Sequence, residues 1–198
     1  MTGNKIVKFL PQVITVLAGS ISLILHTLFI KVELIPFVQV IASGCVVMIL
    51  PKLEFMAEKN SLWFLNLVYA FFIVLAVDLG SVLGFYDLFL WRDTVMHGAF
   101  GFICSVSIYI LFLKDSYDLK NRSRLLLIFL ATMGCGSLWE IFEFSVDNIL
   151  GMDTQRVGES IALGKTPVYD TMVDIIITIA GFIVFVLIYS LYKRKLKK

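Results

Sequence analysis

The chain has 198 residues, of which 59% are hydrophobic and 16% charged, so a water-soluble fold of this size would expose more apolar surface than its polar groups cover. A lipid bilayer must be the solvent for much of it. A net charge of +2, with no basic stripe interleaved with aromatics, excludes nucleic acid as a partner.

Apolar runs follow in chain order at Phe9 to Ile30, Leu34 to Leu50, Leu62 to Gly84, Asp93 to Leu113, Leu125 to Ile149 and Asp170 to Tyr192. Each is close to the length needed to cross a hydrocarbon core at about 1.5 Å per residue. The expected architecture is an all-α, polytopic bundle of about six transmembrane helices, a single transmembrane domain over residues 1–198 with a basic tail at 193–198. Pro11 and Pro36 fall near the starts of the first two runs, where a missing N–H costs least. Lys5 and Lys8 ahead of the first run give it the look of a signal peptide, but the run is too long for that and more spans follow, which makes it the first helix.

Lys and Arg are unevenly shared between the two sets of connections. Thirteen lie in the N-terminus, the second and fourth loops and the tail; only Lys31, Arg92, Arg156 and Lys165 lie in the opposite set. The positive-inside rule then places both termini in the cytoplasm, and the multi-pass chain in a bacterial cytoplasmic membrane. Gly80 and Gly84, Gly98 and Gly101, and Gly134 and Gly136 let the third, fourth and fifth helices approach closely. Cys45, Cys104 and Cys135 sit in apolar runs without paired spacing and read as small packing residues. Trp63 and Trp139 need no role beyond packing or the membrane interface.

With this orientation, eleven of the fifteen acidic residues fall in the outer half. Measured from mid-span, Asp78, His97, Glu143 and Asp174 all come out roughly 7 to 10 Å toward the outer side, with Glu140 deeper and Asp93, Asp147 and Asp170 nearer the surface. Within each helix these residues are three or four apart, so each set occupies one stripe. A charged carboxylate near mid-bilayer costs about 2.5–3.5 kcal/mol. Protonation, protein cations or a bound metal must compensate the cluster, and Arg92, Arg156 and Lys165 are too few to balance it.

A carboxylate-rich site with few nitrogen donors suits Mg²⁺, Mn²⁺ or Ca²⁺, whereas zinc generally takes more imidazole or thiolate. Of the two histidines, His97 shares a face with Asp93, and His26 reads more readily as a hydrogen-bonded interior group. The expected metal ligands are Asp78, His97, Glu143 and Asp174, with Glu140 or Asp147 as general base. Arg92, Asp93, Gln155, Arg156, Lys165 and Asp170 complete the site as substrate-binding groups. The outer loop from Gly151 to Tyr169, broken by Gly158, Gly164 and Pro167, reads equally as a lid over the cluster or a mobile tether.

The segments WRDTVMHGAFG (Trp91 to Gly101), WEIFEF (Trp139 to Phe144), GMDTQ (Gly151 to Gln155) and YDTMVDIIITIAG (Tyr169 to Gly181) together resemble the YjdF-like family of uncharacterised bacterial inner membrane proteins, over roughly the second half of the chain. The resemblance implies a shared fold and a shared signature at Asp93, His97, Glu140, Glu143, Asp147, Gln155, Asp170 and Asp174. It names no reaction. Three functional readings follow from the residues: a metal-dependent membrane enzyme acting on a lipid or lipid-linked substrate, a cation- or proton-coupled transporter, and a structural or partner-binding membrane protein. Transport sites generally lie at midspan breaks or between internal repeats, and the sequence shows neither, which ranks the enzyme first.

Overall fold

The computed structural model describes residues 9–53, 55–89, 91–116 and 118–195, with the side chain of Asp87 outside that description. Lys5, Lys8, Glu54, Lys197 and Lys198, which enter the charge asymmetry, lie outside the described residues. The described residues form helices joined by short connections, without strands. Its elements are α1 (Leu10–Phe29), α2 (Leu34–Ile49, ending in a 3₁₀ turn Leu50–Lys52), α3 (Lys59–Ile73, continuing as a π-helix Val74–Val82), the short α4 (Phe85–Leu88), α5 (Trp91–Ile108, continuing as a π-helix Tyr109–Leu113), α6 (Asn121–Leu150), the short α7 (Val157–Ala162) and α8 (Tyr169–Lys195). Six of these helices are long and apolar enough to span a bilayer, at the places the hydropathy pattern marks.

The helix ends have local causes. Pro11 stands in the first turn of α1, where its missing N–H breaks no bond. α6 ends at Gly151, whose φ of 67° lies in the left-handed region and whose N–H caps the Asp147 carbonyl, a conformation glycine adopts without a Cβ penalty. At 30 residues, α6 is about 45 Å long and overruns the ~30 Å hydrocarbon layer.

The chain divides into two compact units, residues 1–93 and 94–198. In the first, α1, α2 and α3 pack around Val47, Ala70 and Ile73, with Ile14 and Val77 against them. Where α3 becomes a π-helix, the ring of Tyr86 fills the space that a Cβ on Gly80 would take. Arg92 donates to the Leu75 carbonyl at 2.7 Å, and its guanidinium lies 5.4 Å from the Phe85 ring centre.

The second unit is organised by residues four apart on α5, α6 and α8. One layer consists of Gly101, Gly136 and Thr178. A Cβ on Gly101 would run into the Thr178 backbone, one on Gly136 would come 3.3 Å from the Thr178 methyl, and one on Gly181 would come 2.7 Å from the Phe102 nitrogen. The absent side chains therefore let α5 and α8 touch backbone to backbone. The next turn on α5 and α6 carries the fully buried Ser105 and Thr132, whose hydroxyls meet at 3.0 Å. Beyond it lies an apolar cluster of Ile128, Phe185 and Tyr189, with Tyr109 edge-on to Tyr189 at 5.2 Å. The far end is tied by Tyr189 donating to Asn121 at 2.8 Å and Arg124 donating to the Ser116 carbonyl at 2.6 Å.

Candidate functional site

One turn beyond the glycine layer, in the direction opposite to the aromatic cluster, the same three stripes change from small to polar. His97 stands four residues before Gly101, Glu140 four after Gly136, and Asp174 four before Thr178. The close approach enforced by the glycines therefore carries directly into the site. All three side chains are buried, His97 at 7%, Glu140 at 7% and Asp174 at 2% exposure.

The imidazole of His97 lies between two carboxylates. Its Nδ1 is 3.8 Å from Glu140 Oε1 and its Nε2 is 3.7 Å from Asp174 Oδ2. Glu143, three residues beyond Glu140 on α6, completes a set in which one donor atom from each of His97, Glu140 and Glu143 lies within 4.8 Å of the others. A divalent ion at their centre would need only small rotamer adjustments to reach ordinary ligand distances. Two carboxylates would also balance its charge, which matters where the surrounding medium is hydrocarbon.

Trp139 has a role that its sequence context did not suggest: its indole N–H donates to Glu143 Oε1 at 2.8 Å. The spacing of four on one helix was the available signal. Trp139 is 42% exposed and stacks loosely with Phe100 at 6.0 Å and Phe142 at 5.4 Å, so an exposed aromatic ledge borders the site.

The loop after α6 is fastened by specific bonds. Asp147 accepts from the Thr154 N–H at 2.7 Å and hydroxyl at 2.6 Å through Oδ1, and from the Gln155 N–H at 3.0 Å through Oδ2. Asp153 accepts from the Val157 and Gly158 amides at 2.7 and 3.0 Å, which starts α7. Gln155 then donates to the Thr171 hydroxyl at 3.0 Å, docking the loop on α8 three residues before Asp174. Its fastening at both ends makes this an ordered segment and not a mobile tether. Replacing Asp147 with alanine is expected to ease local opening by roughly 2 kcal/mol. That is about thirtyfold faster amide exchange at Thr154 and Gln155, read by hydrogen–deuterium exchange, with the global unfolding temperature little changed.

The remaining expected site residues are placed as follows. Asp93 lies in the first turn of α5, one turn before His97, and Asp170 in the first turn of α8, one turn before Asp174. Arg156 has a left-handed backbone with φ 47° and pairs with Glu159, its Nε donating at 2.7 Å. Lys165 sits 5.3 Å from the Tyr169 ring centre. Arg92 and Asp78 belong to the first unit, where Arg92 is held by Leu75 as described and Asp78 is buried in the π-helix that ends α3. His26 meets the Val82 carbonyl at 2.7 Å through Nδ1, the interior hydrogen bond expected of it. In the connection after α1, Lys31 and Glu33 pair at 2.6 Å. Their hydrogen bond, and then their charges, hold the Glu33 carboxyl below and the Lys31 ammonium above their ordinary ranges; being exposed, the pair adds little to stability.

A family model described as a predicted membrane protein family, DUF2238, matches residues 13–195. No curated protein and no solved structure matches the chain.

Proposed function

The chain belongs to the DUF2238 family of predicted membrane proteins, and on that premise we propose that it is a divalent-metal-dependent membrane enzyme acting on a phosphorylated lipid or lipid-linked substrate. The observation that carries this reading is the buried imidazole of His97 between carboxylates, with Glu140 on its Nδ1 edge and Glu143 within 4.8 Å of both. His97, Glu140 and Glu143 hold the ion, and Asp174 holds the opposite ring nitrogen and fixes the tautomer, as carboxylates behind metal-bound histidines do. Three protein donors leave coordination positions for substrate, and the ion supplies a Lewis acid for a phosphoryl oxygen. With Glu140 on the ion and both oxygens of Asp147 committed to the loop, neither of the two expected general bases is free for that role; Lys165 is a cation for a phosphate, and Arg156 would serve only by giving up Glu159.

The orientation of the proposal follows the distribution of Lys and Arg, with both termini in the cytoplasm and the site toward the outer leaflet. The exposed ledge of Phe100, Trp139 and Phe142 supports entry of an apolar tail from the bilayer. Purified protein is expected to bind one Mn²⁺ or Mg²⁺ per chain by calorimetry and elemental analysis, with affinity at least tenfold weaker in His97→Ala and Glu143→Gln. Absence of divalent metal from the native protein, or wild-type affinity in both variants, refutes the reading. A competing reading, an ion-coupled transporter, draws on the π-helical stretch around the buried Asp78. Liposome flux that requires Glu140 would put it first.

A further inference from the structure

The connection between α6 and α8 is built inside out. In α7 the hydroxyl-bearing Ser160 is 3% exposed, whereas Ile161 and, just past the helix, Leu163 are 57% and 60% exposed. Every residue from Ile161 to Tyr169 is exposed, and Val168 and Tyr169 add two more large apolar groups to that surface. A turn folded against water would show the reverse order, with the hydroxyl out and the branched chains in.

The polar groups of the segment are closed on one another. At the end of α7 the Lys165 amide reaches the Ser160 carbonyl and the Gly164 amide the Ile161 carbonyl, both at 2.9 Å. Gly164, with φ 68°, makes this paired closure possible. The Tyr169 amide bonds to the Thr166 carbonyl at 3.0 Å, and Arg156 is bonded to Glu159. Such closures let a turn enter a medium that offers no hydrogen bonds.

The flanking helices identify that medium. α6 and α8 are both long and apolar enough to span a bilayer. α6 exposes Ile149 and Leu150 as its last residues, and α8 exposes Met172 in its first turn, so the lipid-facing surface runs up to both ends of the connection. Asp147 and Gln155 fasten the connection at that level. Lys165, its ammonium 5.3 Å from the Tyr169 ring centre, supplies the pairing that settles at an interface: the ring takes the apolar side and the cation reaches up to phosphate.

We propose that residues 161–169 dock into the leaflet at this end of the spans, with Ile161, Leu163 and Val168 in the upper acyl region and Lys165 on lipid phosphate. The partner is the bilayer surface itself, and the inference stands apart from the metal chemistry at His97.

The test is electron paramagnetic resonance of the full chain in nanodiscs of phosphatidylethanolamine and phosphatidylglycerol. Nitroxides are attached to Ile161→Cys, Leu163→Cys and Val168→Cys, with Cys45, Cys104 and Cys135 replaced by alanine. Asp115→Cys, at an exposed position in the loop before α6, is the reference for water. The three labels are expected to collide with O₂ in preference to a water-soluble nickel chelate and to lie about 5–10 Å below the phosphates, with the opposite preference at the reference. Chelate access at 161 and 163 equal to that at 115 overturns the proposal. Protection from both reagents also overturns it, since protein would then cover the segment. Should the chain without its native cysteines not fold, p-benzoylphenylalanine in place of Ile161 in the native chain decides: photo-adducts with lipid support docking, and adducts with protein alone, or none, refute it.

Discussion

Replacing Gly101 with alanine is expected to lower the stability of the second unit by about 1–3 kcal/mol, at the upper end of what overpacking costs. The added Cβ meets the backbone of Thr178, which has no rotamer with which to move aside. α5 and α8 must separate, and because His97 and Asp174 stand one turn away on the same helices, the carboxylate that steadies the imidazole is drawn away from it. Loss of metal affinity should accompany the loss of stability. Gly181→Ala is expected to behave alike, since its Cβ meets the backbone of Gly98 and Phe102. Gly134→Ala, with nothing within 4 Å of the new carbon, should stay within about 1 kcal/mol of wild type. Thermal or denaturant unfolding in detergent micelles, with Mn²⁺ binding measured on the same samples, checks all three. An equal response from Gly101 and Gly134 would refute the backbone contact as the cause.

The largest effect is expected from His97→Leu. The ring between Glu140 and Asp174 is replaced by a group that neither balances nor hydrogen-bonds them, and stranding buried charges in this way costs about 3–5 kcal/mol. The triple replacement of His97, Glu140 and Asp174 by leucine removes the stranded carboxylates as well. It should recover most of that loss, since apolar packing can substitute for a buried ionic set. Neither variant should bind the divalent ion. A stable triple variant without metal binding would mean that the cluster is retained for chemistry at the expense of stability. A triple variant as unstable as the single would mean that it holds the bundle together.

The six spans were legible because their signal is averaged over some twenty residues, and no tertiary detail perturbs it. Depth along the spans grouped Asp78, His97, Glu143 and Asp174, with Glu140 deeper, and spacings of three and four fixed the shared faces; the structure has Glu140 beside His97 and Glu143 and Asp174 beside His97, with Asp78 in the first unit. Membership in an uncharacterised membrane family, expected from the motifs around those residues, agrees with the match over residues 13–195. The particular contacts were not legible. That Gly101 and Gly136 close on Thr178 depends on how three helices are rotated against one another, which periodicity does not specify. The bond from Trp139 to Glu143 depends on rotamers, and the engagement of Asp147 by Thr154 and Gln155 depends on the course of a loop. The π-helix around Asp78 leaves no mark in the hydropathy pattern, because it changes the register of the helix without changing its composition.

The three stripes of the second unit carry a consequence for traffic through it. Polar side chains occupy one end of the column, glycines the turn below, paired hydroxyls the turn after that, and then Ile128, Phe185 and Tyr189 fill the axis. A group seated at His97 meets, one turn on, the backbone contact of Gly101 with Thr178, so the polar end of the three helices is closed from behind long before the rings are reached. Passage onward would require α5 and α8 to part along their whole line of contact.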